Sequence, residues 1–180
     1  LEHTNMFEKY EGDLFVDLKL FDTPHTVCSV IENILEKGAT MTTISTFNNK
    51  DVFNSLLQYS EDLKLLGVTY LTSWDESERF EISREVKHNM WQRHIDRITK
   101  AGFRGLICSA QDINDITEIN PRLLRVCPGI TFKSSNSGQV RTASPRMAQE
   151  SGADYAVIGR SVTKAYHPVE TIEAIKKTLE

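Results

Sequence analysis

The chain has 180 residues, of which 39% are hydrophobic, and it carries a formal net charge of −4. This length and composition allow one sizeable core, so we expect a single domain over residues 1–180. The mildly acidic balance supplies no basic surface for nucleic acid, and no apolar stretch is long enough to cross a bilayer. Cys28, Cys108 and Cys127 lie in apolar elements without a paired CxxC spacing. This usage predicts reduced, buried thiols in a cytoplasmic protein rather than a metal site or a disulfide.

Residues 14–22 form the stretch around which the predicted sheet is organised. As a strand, this stretch alternates apolar residues on one face with Phe15, Asp17 and Lys19 on the other. Asp22 follows just beyond the strand. Two charges near the end of an apolar strand are costly to bury unless each has a partner. The pair is therefore either an internal ion pair that sets strand register or part of a functional site, and this stretch alone leaves both open.

Strands and helices are predicted to alternate six times along the chain. Thr23 and Pro24 start the first helix as its N-cap and first helical residue, and Gly38 ends it. Residues 74–85 are polar and aperiodic, so we expect a loop or a short lid there. The later strands are predicted at 40–45, 67–72, 105–109, 123–127 and 155–158. The later helices are predicted at 51–59, 86–101, 110–119, 145–150 and 169–179, with a weakly helical tail at 1–10 and a mobile loop at 132–138.

This alternation predicts parallel βαβ units with right-handed crossovers, in an open doubly wound sheet or in a barrel. The G-x-G-x-x-G pattern of dinucleotide-binding folds is absent. In a (β/α)₈ barrel, chemistry gathers where the strands end, which is where this sequence places its polar groups. Such a barrel usually needs roughly 200 residues or more, so six units leave it about two units short.

The stretch Val157-Ile158-Gly159-Arg160-Ser161 runs from a predicted buried strand into a turn. A glycine there lets the backbone approach an anion, and Arg160 supplies a forked positive charge. We therefore expect Gly159 and Arg160 to bind phosphate rather than merely to cover a strand end. Gln139 and Arg141, in the preceding loop, are placed to close over the same anion.

The segment Asp17-Leu18-Lys19-Leu20-Phe21-Asp22-Thr23-Pro24-His25-Thr26 resembles the D-x-K-x-x-D-x-P-x-T signature of the orotidine 5′-phosphate decarboxylase family. The resemblance covers the chain from about Leu14 to its end, with further blocks in the family's order. These blocks are Leu71-Thr72-Ser73, Cys108-Ser109-Ala110-Gln111-Asp112, Pro128-Gly129-Ile130, Gln139-Val140-Arg141 and Ile158-Gly159-Arg160-Ser161. The Leu-Thr-Ser and Cys-Ser-Ala-Gln blocks indicate the bacterial type.

The resemblance implies an α/β fold of the (β/α)₈ TIM-barrel type, of which this chain carries about six βα units. It also implies a homodimer with shared active sites, in the cytoplasm, without a metal or an organic cofactor. The implied reaction is decarboxylation of orotidine 5′-phosphate to uridine 5′-phosphate. Lys19 would be the proton donor and Asp17 the acid beside it, because a fixed ammonium stabilises and then protonates the carbanion left by carbon dioxide. Asp22 and Thr26 would reach into the partner subunit's site.

The same resemblance implies how the nucleotide is bound. Thr72 and Ser73 would contact the pyrimidine, while Gln139, Gly159 and Arg160 would hold the phosphate. Phosphate bound far from the reacting carbon supplies binding energy that is available in the transition state.

The sequence also departs from the family pattern. A further aspartate and lysine belong to two earlier strands, and this chain begins after both, so we expect an incomplete barrel. Ser45 stands where the family usually has a histidine, Asn48-Asn49 replaces a glycine pair, and Thr131 replaces an arginine. One alternative is a catalytically impaired homologue that binds a phosphoribosyl ligand. Another is a sister sugar-phosphate decarboxylase or aldolase that uses Asp17 and Asp22 with a metal.

Overall fold

The computed structural model describes residues 11–71, 74–84, 86–132 and 142–180. The chain divides into two compact units, Leu1–Val68 with Arg97–Arg104, and Thr69–Asp96 with Gly105–Glu180. The predicted helical tail at 1–10 and most of the predicted loop at 132–138 lie outside the described residues. Among the helices in the described ranges, none combines the length and the apolar character that a membrane span requires.

The first unit contains three strands, of which the middle one pairs in parallel with both others. Its elements are β1 (Leu14–Leu20), α1 (Pro24–Glu36), β2 (Ala39–Ser45), α2 (Lys50–Leu56), β3 (Lys64–Val68) and the last turn of α4 (Lys87–Lys100). Helical spacing places the apolar residues of α1 on one face, and that face is buried: Val27 and Ile31 are fully inaccessible, as is Ile44 of β2. The predicted ends of α1 are confirmed, with Thr23 as N-cap and Gly38 at φ +80° directly after the C-cap.

The second unit also contains three parallel strands in chain order. Its elements are α3 (Glu76–Ser83), the first part of α4, β4 (Gly105–Ile107), α5 (Ile113–Ile119), β5 (Leu124–Cys127), α6 (Pro145–Glu150), β6 (Tyr155–Ala156), α7 (Arg160–Thr163) and α8 (Pro168–Lys177). Leu106, Val126 and Ala148 lie in its core, each at most 2% exposed. Each of the six strands is followed along the chain by a helix, as the sequence predicts.

Three local predictions are wrong. The third strand, predicted at 67–72, lies at Lys64–Val68, where Leu65 and Leu66 are its fully buried side chains. The loop expected at 74–85 contains the helix α3, which begins with a capping box: Asp75 accepts a hydrogen bond from the Glu78 amide, and the Glu78 side chain accepts one from the Asp75 amide. The helix therefore starts from its cap and not from an apolar stripe, which is the pattern that periodicity detects. The sixth strand, expected to be buried, leaves Tyr155 36% and Val157 39% exposed. Within the described residues, β6 is hydrogen-bonded only to β5, so its other edge is uncovered.

The three cysteines are free thiols. Cys108, directly after β4, and Cys127, the last residue of β5, are buried with their sulfur atoms 3.8 Å apart, which agrees with the predicted buried thiols. Cys28 is only partly buried, so the prediction is too strong for that residue.

Candidate active site at the strand ends

The carboxyl end of β1 departs from regular strand geometry. In the ladder with β2, Val16 lies opposite Thr42 and Leu20 lies opposite Ile44, so Asp17, Leu18 and Lys19 face the single residue Thr43. Lys19 has φ +50°, in the left-handed region that side-chain-bearing residues rarely adopt. This irregularity is a β-bulge, a feature that re-aims side chains and is frequent beside active sites.

The bulge brings the side chains of Asp17 and Lys19 together, as strand alternation predicts. The Lys19 Nζ lies 2.6 Å from the Asp17 Oδ2, and the two side chains are 44% and 45% exposed. Thr43, which is fully buried, touches both residues. Its Oγ1 donates to the Asp17 Oδ1 at 2.7 Å and accepts from the Lys19 backbone amide at 2.8 Å. The buried Thr43 hydroxyl therefore fixes an ion pair whose two side chains remain partly exposed to solvent.

Asp22 and Thr26 lie where β1 passes into α1. The Asp22 Oδ1 accepts a hydrogen bond of 2.7 Å from the Thr23 amide, and the Thr26 hydroxyl lies 3.1 Å from that of Thr23. The pKa of Asp22 lies below its ordinary value because the Thr23 amide and, secondarily, the Thr26 hydroxyl donate to its carboxylate. Both predicted residues are exposed, so a carboxylate and a hydroxyl point outward together at this turn.

The end of β2 shows what occupies the positions that depart from the family pattern. Asn48 is 2% exposed, and its Nδ2 donates at 2.9 Å to the carbonyls of both Leu20 and Ser45. This side chain therefore joins the end of β1 to the end of β2. Asn49 is the N-cap of α2, where its Oδ1 accepts from the Val52 amide at 3.0 Å. Ser45 is half-buried, and its Oγ accepts a hydrogen bond of 3.3 Å from the Phe47 amide.

Gly159 and Arg160 lie shortly after β6 in the second unit, at the start of α7. Gly159 is the N-cap of α7, and a Cβ added there would meet no atom within 4 Å, so the space beside this turn is open. Both residues are exposed, which suits contact with an anion. The Phe132 amide donates to the Ser161 Oγ at 3.1 Å, and Thr131 donates its amide to the Ala143 carbonyl at 3.0 Å. The described ends of the segment that carries Gln139 are thus anchored beside this turn and to each other.

Four of the predicted contact residues lie outside the described residues: Thr72, Ser73, Gln139 and Arg141. Of the rest, the structure brings Asp17 to Lys19 and Asp22 to Thr26, all in the first unit. Sequence reasoning missed Thr43 and assigned no task to Asn48, because both act across strands and local spacing carries no sign of such contacts. In the described ranges, no group of three or more histidine, cysteine, aspartate or glutamate residues is arranged to hold a metal ion.

Comparison with solved structures defines the fold class. An orotidine 5′-phosphate decarboxylase from Lactobacillus acidophilus superposes with a TM-score of 0.76 at 30% sequence identity, covering 93% of this chain and 75% of that one. Decarboxylases of this name are also among the sequence matches. One from Ehrlichia canis is 33% identical over 172 residues, covering 92% of this chain and 75% of the relative. One from a Wolbachia of Brugia malayi is 35% identical over 170 residues, with the same coverage of both chains.

These likenesses, with the six βα repeats, define a parallel α/β protein of the (β/α)₈-barrel type, about six units of which are present here. The sequence model of the orotidine 5′-phosphate decarboxylase / HUMPS family matches residues 4–175. The chain belongs to this family of enzymes.

Proposed function

We propose that this protein decarboxylates orotidine 5′-phosphate to uridine 5′-phosphate, with Lys19 as the proton donor. The observation that carries the proposal is the ion pair of 2.6 Å between Lys19 and Asp17, which the bulge presents at the end of β1 in a chain of this family. When the carbon–carboxylate bond breaks, carbon dioxide leaves and the electron pair stays on the pyrimidine carbon. The Lys19 ammonium stabilises that charge and then transfers a proton to the carbon.

Asp17 holds the ammonium in position through its Oδ2, while its Oδ1 is occupied by Thr43. A charge that is already oriented needs no reorganisation when the carbanion forms, which is the advantage of a preorganised site. The Asp17 side chain is 45% exposed, which leaves room beside the ion pair for a substrate to approach.

Phosphate binding is assigned to Gly159, Arg160 and Gln139, and pyrimidine contact to Thr72 and Ser73. The open space beside Gly159 and the exposure of Arg160 support the phosphate assignment. The assignments to Gln139, Thr72 and Ser73 depend on the sequence motifs. No step of the proposed reaction calls for a cofactor.

A homodimer with shared active sites is part of the proposal, and so is a cytoplasmic location. Phe21, which directly follows β1, is 66% exposed, and Phe47, two residues after β2, is 39% exposed. Large apolar side chains in such positions favour burial against a second subunit. Asp22 and Thr26, beside Phe21, would then enter the partner subunit's site.

The test is turnover of orotidine 5′-phosphate by the purified protein, followed as carbon dioxide release and uridine 5′-phosphate formation. Lys19→Ala is expected to lower kcat on the order of 100- to 10,000-fold, the range for removing a proton donor or one electrostatic contact. Lys37→Ala, at an exposed lysine that caps α1, is the matched control and should leave kcat unchanged.

Each alternative outcome has a distinct meaning. Equal turnover by the wild-type and Lys19→Ala proteins would overturn the role of Lys19. Saturable binding of uridine 5′-phosphate without turnover would identify a non-catalytic relative. Turnover of a sugar phosphate that stops on addition of a chelator would identify a metal-dependent sister enzyme.

A further inference from the structure

We infer that Thr43 is a positioning residue, whose single hydroxyl sets the conformation of Lys19 and the orientation of Asp17 together. This inference rests on the proposed function, since it assigns Thr43 to the same site. It concerns a residue of β2 that lies outside the D-x-K-x-x-D segment and contacts that segment across the sheet.

The first step is the hydrogen-bond count at the hydroxyl. A threonine hydroxyl has one proton to donate and lone pairs that accept. A carboxylate only accepts and a backbone amide only donates, so the Thr43 proton must go to the Asp17 Oδ1 and its lone pair must receive the Lys19 amide. The distances of 2.7 and 2.8 Å fit this assignment.

The second step is the closed ring that these contacts form. From Thr43 the ring runs to Asp17, then through the ion pair of 2.6 Å to the Lys19 ammonium, and back along Lys19 to its own amide. One buried oxygen thus holds both the backbone and, through Asp17, the charged end of Lys19. A change at this oxygen moves the ammonium and the carboxylate together.

The third step is the bulge itself. A left-handed φ is unfavourable for a residue with a side chain, because the Cβ comes too close to the following carbonyl oxygen, so some contact must hold Lys19 in it. Regular ladder pairing stops at Val16 and resumes at Leu20, and the Thr43 hydroxyl accepts the Lys19 amide in between. Thr43 therefore replaces the missing ladder contact at the residue that carries the proposed proton donor.

The neighbouring threonine supplies a matched control. Thr42 is also fully buried on β2, and its Oγ1 donates at 2.8 Å to the Val16 carbonyl of β1. It therefore makes a similar hydroxyl contact to the same strand, but it does so before the bulge, and its hydroxyl bonds to Val16 instead of Asp17 or Lys19. Replacing either threonine by valine removes a hydroxyl without changing side-chain shape much.

The experiment compares Thr43→Val, Thr43→Ser and Thr42→Val in the purified protein. Thr43→Val is expected to lower kcat about 10- to 100-fold with KM nearly unchanged, because a small displacement of a reacting group is costly while the residues assigned to phosphate are not altered. Thr43→Ser should restore kcat, and Thr42→Val should leave it near the wild-type value. A Thr43→Val protein with wild-type kcat, an equal loss in Thr42→Val, or no rescue by serine would overturn the inference.

A second readout does not require turnover. Hydrogen exchange of the Lys19 backbone amide should be faster in Thr43→Val than in the wild type and unchanged in Thr42→Val. If the wild-type protein does not decarboxylate orotidine 5′-phosphate, the proposed function fails, and this exchange rate alone decides whether Thr43 holds Lys19. If Thr43→Val does not fold, Thr43→Ser is compared with Thr43→Ala, a pair that differs only in the hydroxyl.

Discussion

Replacing Lys87 by methionine tests the charged contact that holds the start of α4 to the segment after β4. The Lys87 Nζ lies 2.8 Å from the Asp112 Oδ1 and 2.7 Å from the Asp115 Oδ2. The Asp112 side chain is only 3% exposed, whereas that of Lys87 is 31% exposed. Methionine keeps the apolar stem and removes the charge, so it leaves a buried carboxylate without its ammonium.

The expected loss lies between two limits. Exposed ion pairs contribute about 0–1 kcal/mol, and removing one partner of a fully buried pair costs about 3–5 kcal/mol. Because water reaches Lys87 and can partly solvate Asp112 after the change, we expect a loss of about 2 kcal/mol in the free energy of unfolding. For a chain of this size, that corresponds to a fall in Tm of about 4–8 °C.

Urea unfolding at pH 7, followed by circular dichroism, measures this loss. Lys176→Met is the matched control, because Lys176 pairs with Glu173 at 2.9 Å on α8 with side chains 63% and 58% exposed. That variant should stay within about 0.5 kcal/mol of the wild type. Burial by itself lowers the pKa of Lys87. The hydrogen bonds to Asp112 and Asp115 raise this pKa by more than burial lowers it, so the pKa lies above its ordinary value of 10.5. The contribution is therefore full at pH 7 and disappears as the pH rises through the folded-state pKa. Equal losses in the two lysine variants at pH 7 would refute the reasoning.

The remaining predictions concern two glycines and one acid. Gly105→Ala should destabilise the protein by at least about 2 kcal/mol in urea unfolding, because the new Cβ would lie 2.3 Å from the Leu124 carbonyl oxygen and force β4 from β5. In Gly159→Ala the new Cβ would meet no atom within 4 Å, so the free energy of unfolding should stay unchanged. Calorimetry should show weaker binding of uridine 5′-phosphate to this variant, because Gly159 is assigned to the phosphate. Asp154 accepts hydrogen bonds of 2.8 Å from the amide and the Nε of Arg125, and although burial raises its pKa, these contacts lower it below the ordinary 3.8. Its contribution is present above that ordinary pKa and is lost as the pH falls through the folded value, so Asp154→Asn should cost about 1 kcal/mol at pH 7 and progressively less as the pH falls below 3.8. A loss in Asp154→Asn that does not change with pH would contradict this assignment.

The fold was predictable wherever a periodic apolar pattern coincided with a local start or stop residue. The first helix is the clearest case, because Thr23, Pro24 and Gly38 mark its ends and its buried face has helical spacing. The helix α3 was missed because its start depends on the capping box of Asp75 and Glu78, although that spacing is visible in the sequence. A search for caps as well as for apolar periodicity would have found it.

The candidate site was predictable only as far as neighbours on one strand. Two residues apart on β1, Asp17 and Lys19 were expected side by side, and the ion pair is present. The left-handed Lys19 was not predictable, since local preference opposes it and the contact that supports it comes from Thr43, 24 residues along the chain. Tertiary contacts override local preference most readily at such sites.

The role of Asn48 was also not predictable, because it too depends on contacts with another strand. In the sequence, Asn48 stands out only as part of a departure from a glycine pair. A glycine has no side chain, whereas the Asn48 amide satisfies the carbonyls of both Leu20 and Ser45 from a buried position. Leu20 directly follows Lys19, so Thr43 of β2 and Asn48, just after β2, bond to successive residues of the bulged strand. A departure from a family motif therefore does not by itself remove support from the site. In this chain, the side chain at position 48 supplies hydrogen bonds that glycine could not make, and it does so at the strand end from which the proposed proton donor projects.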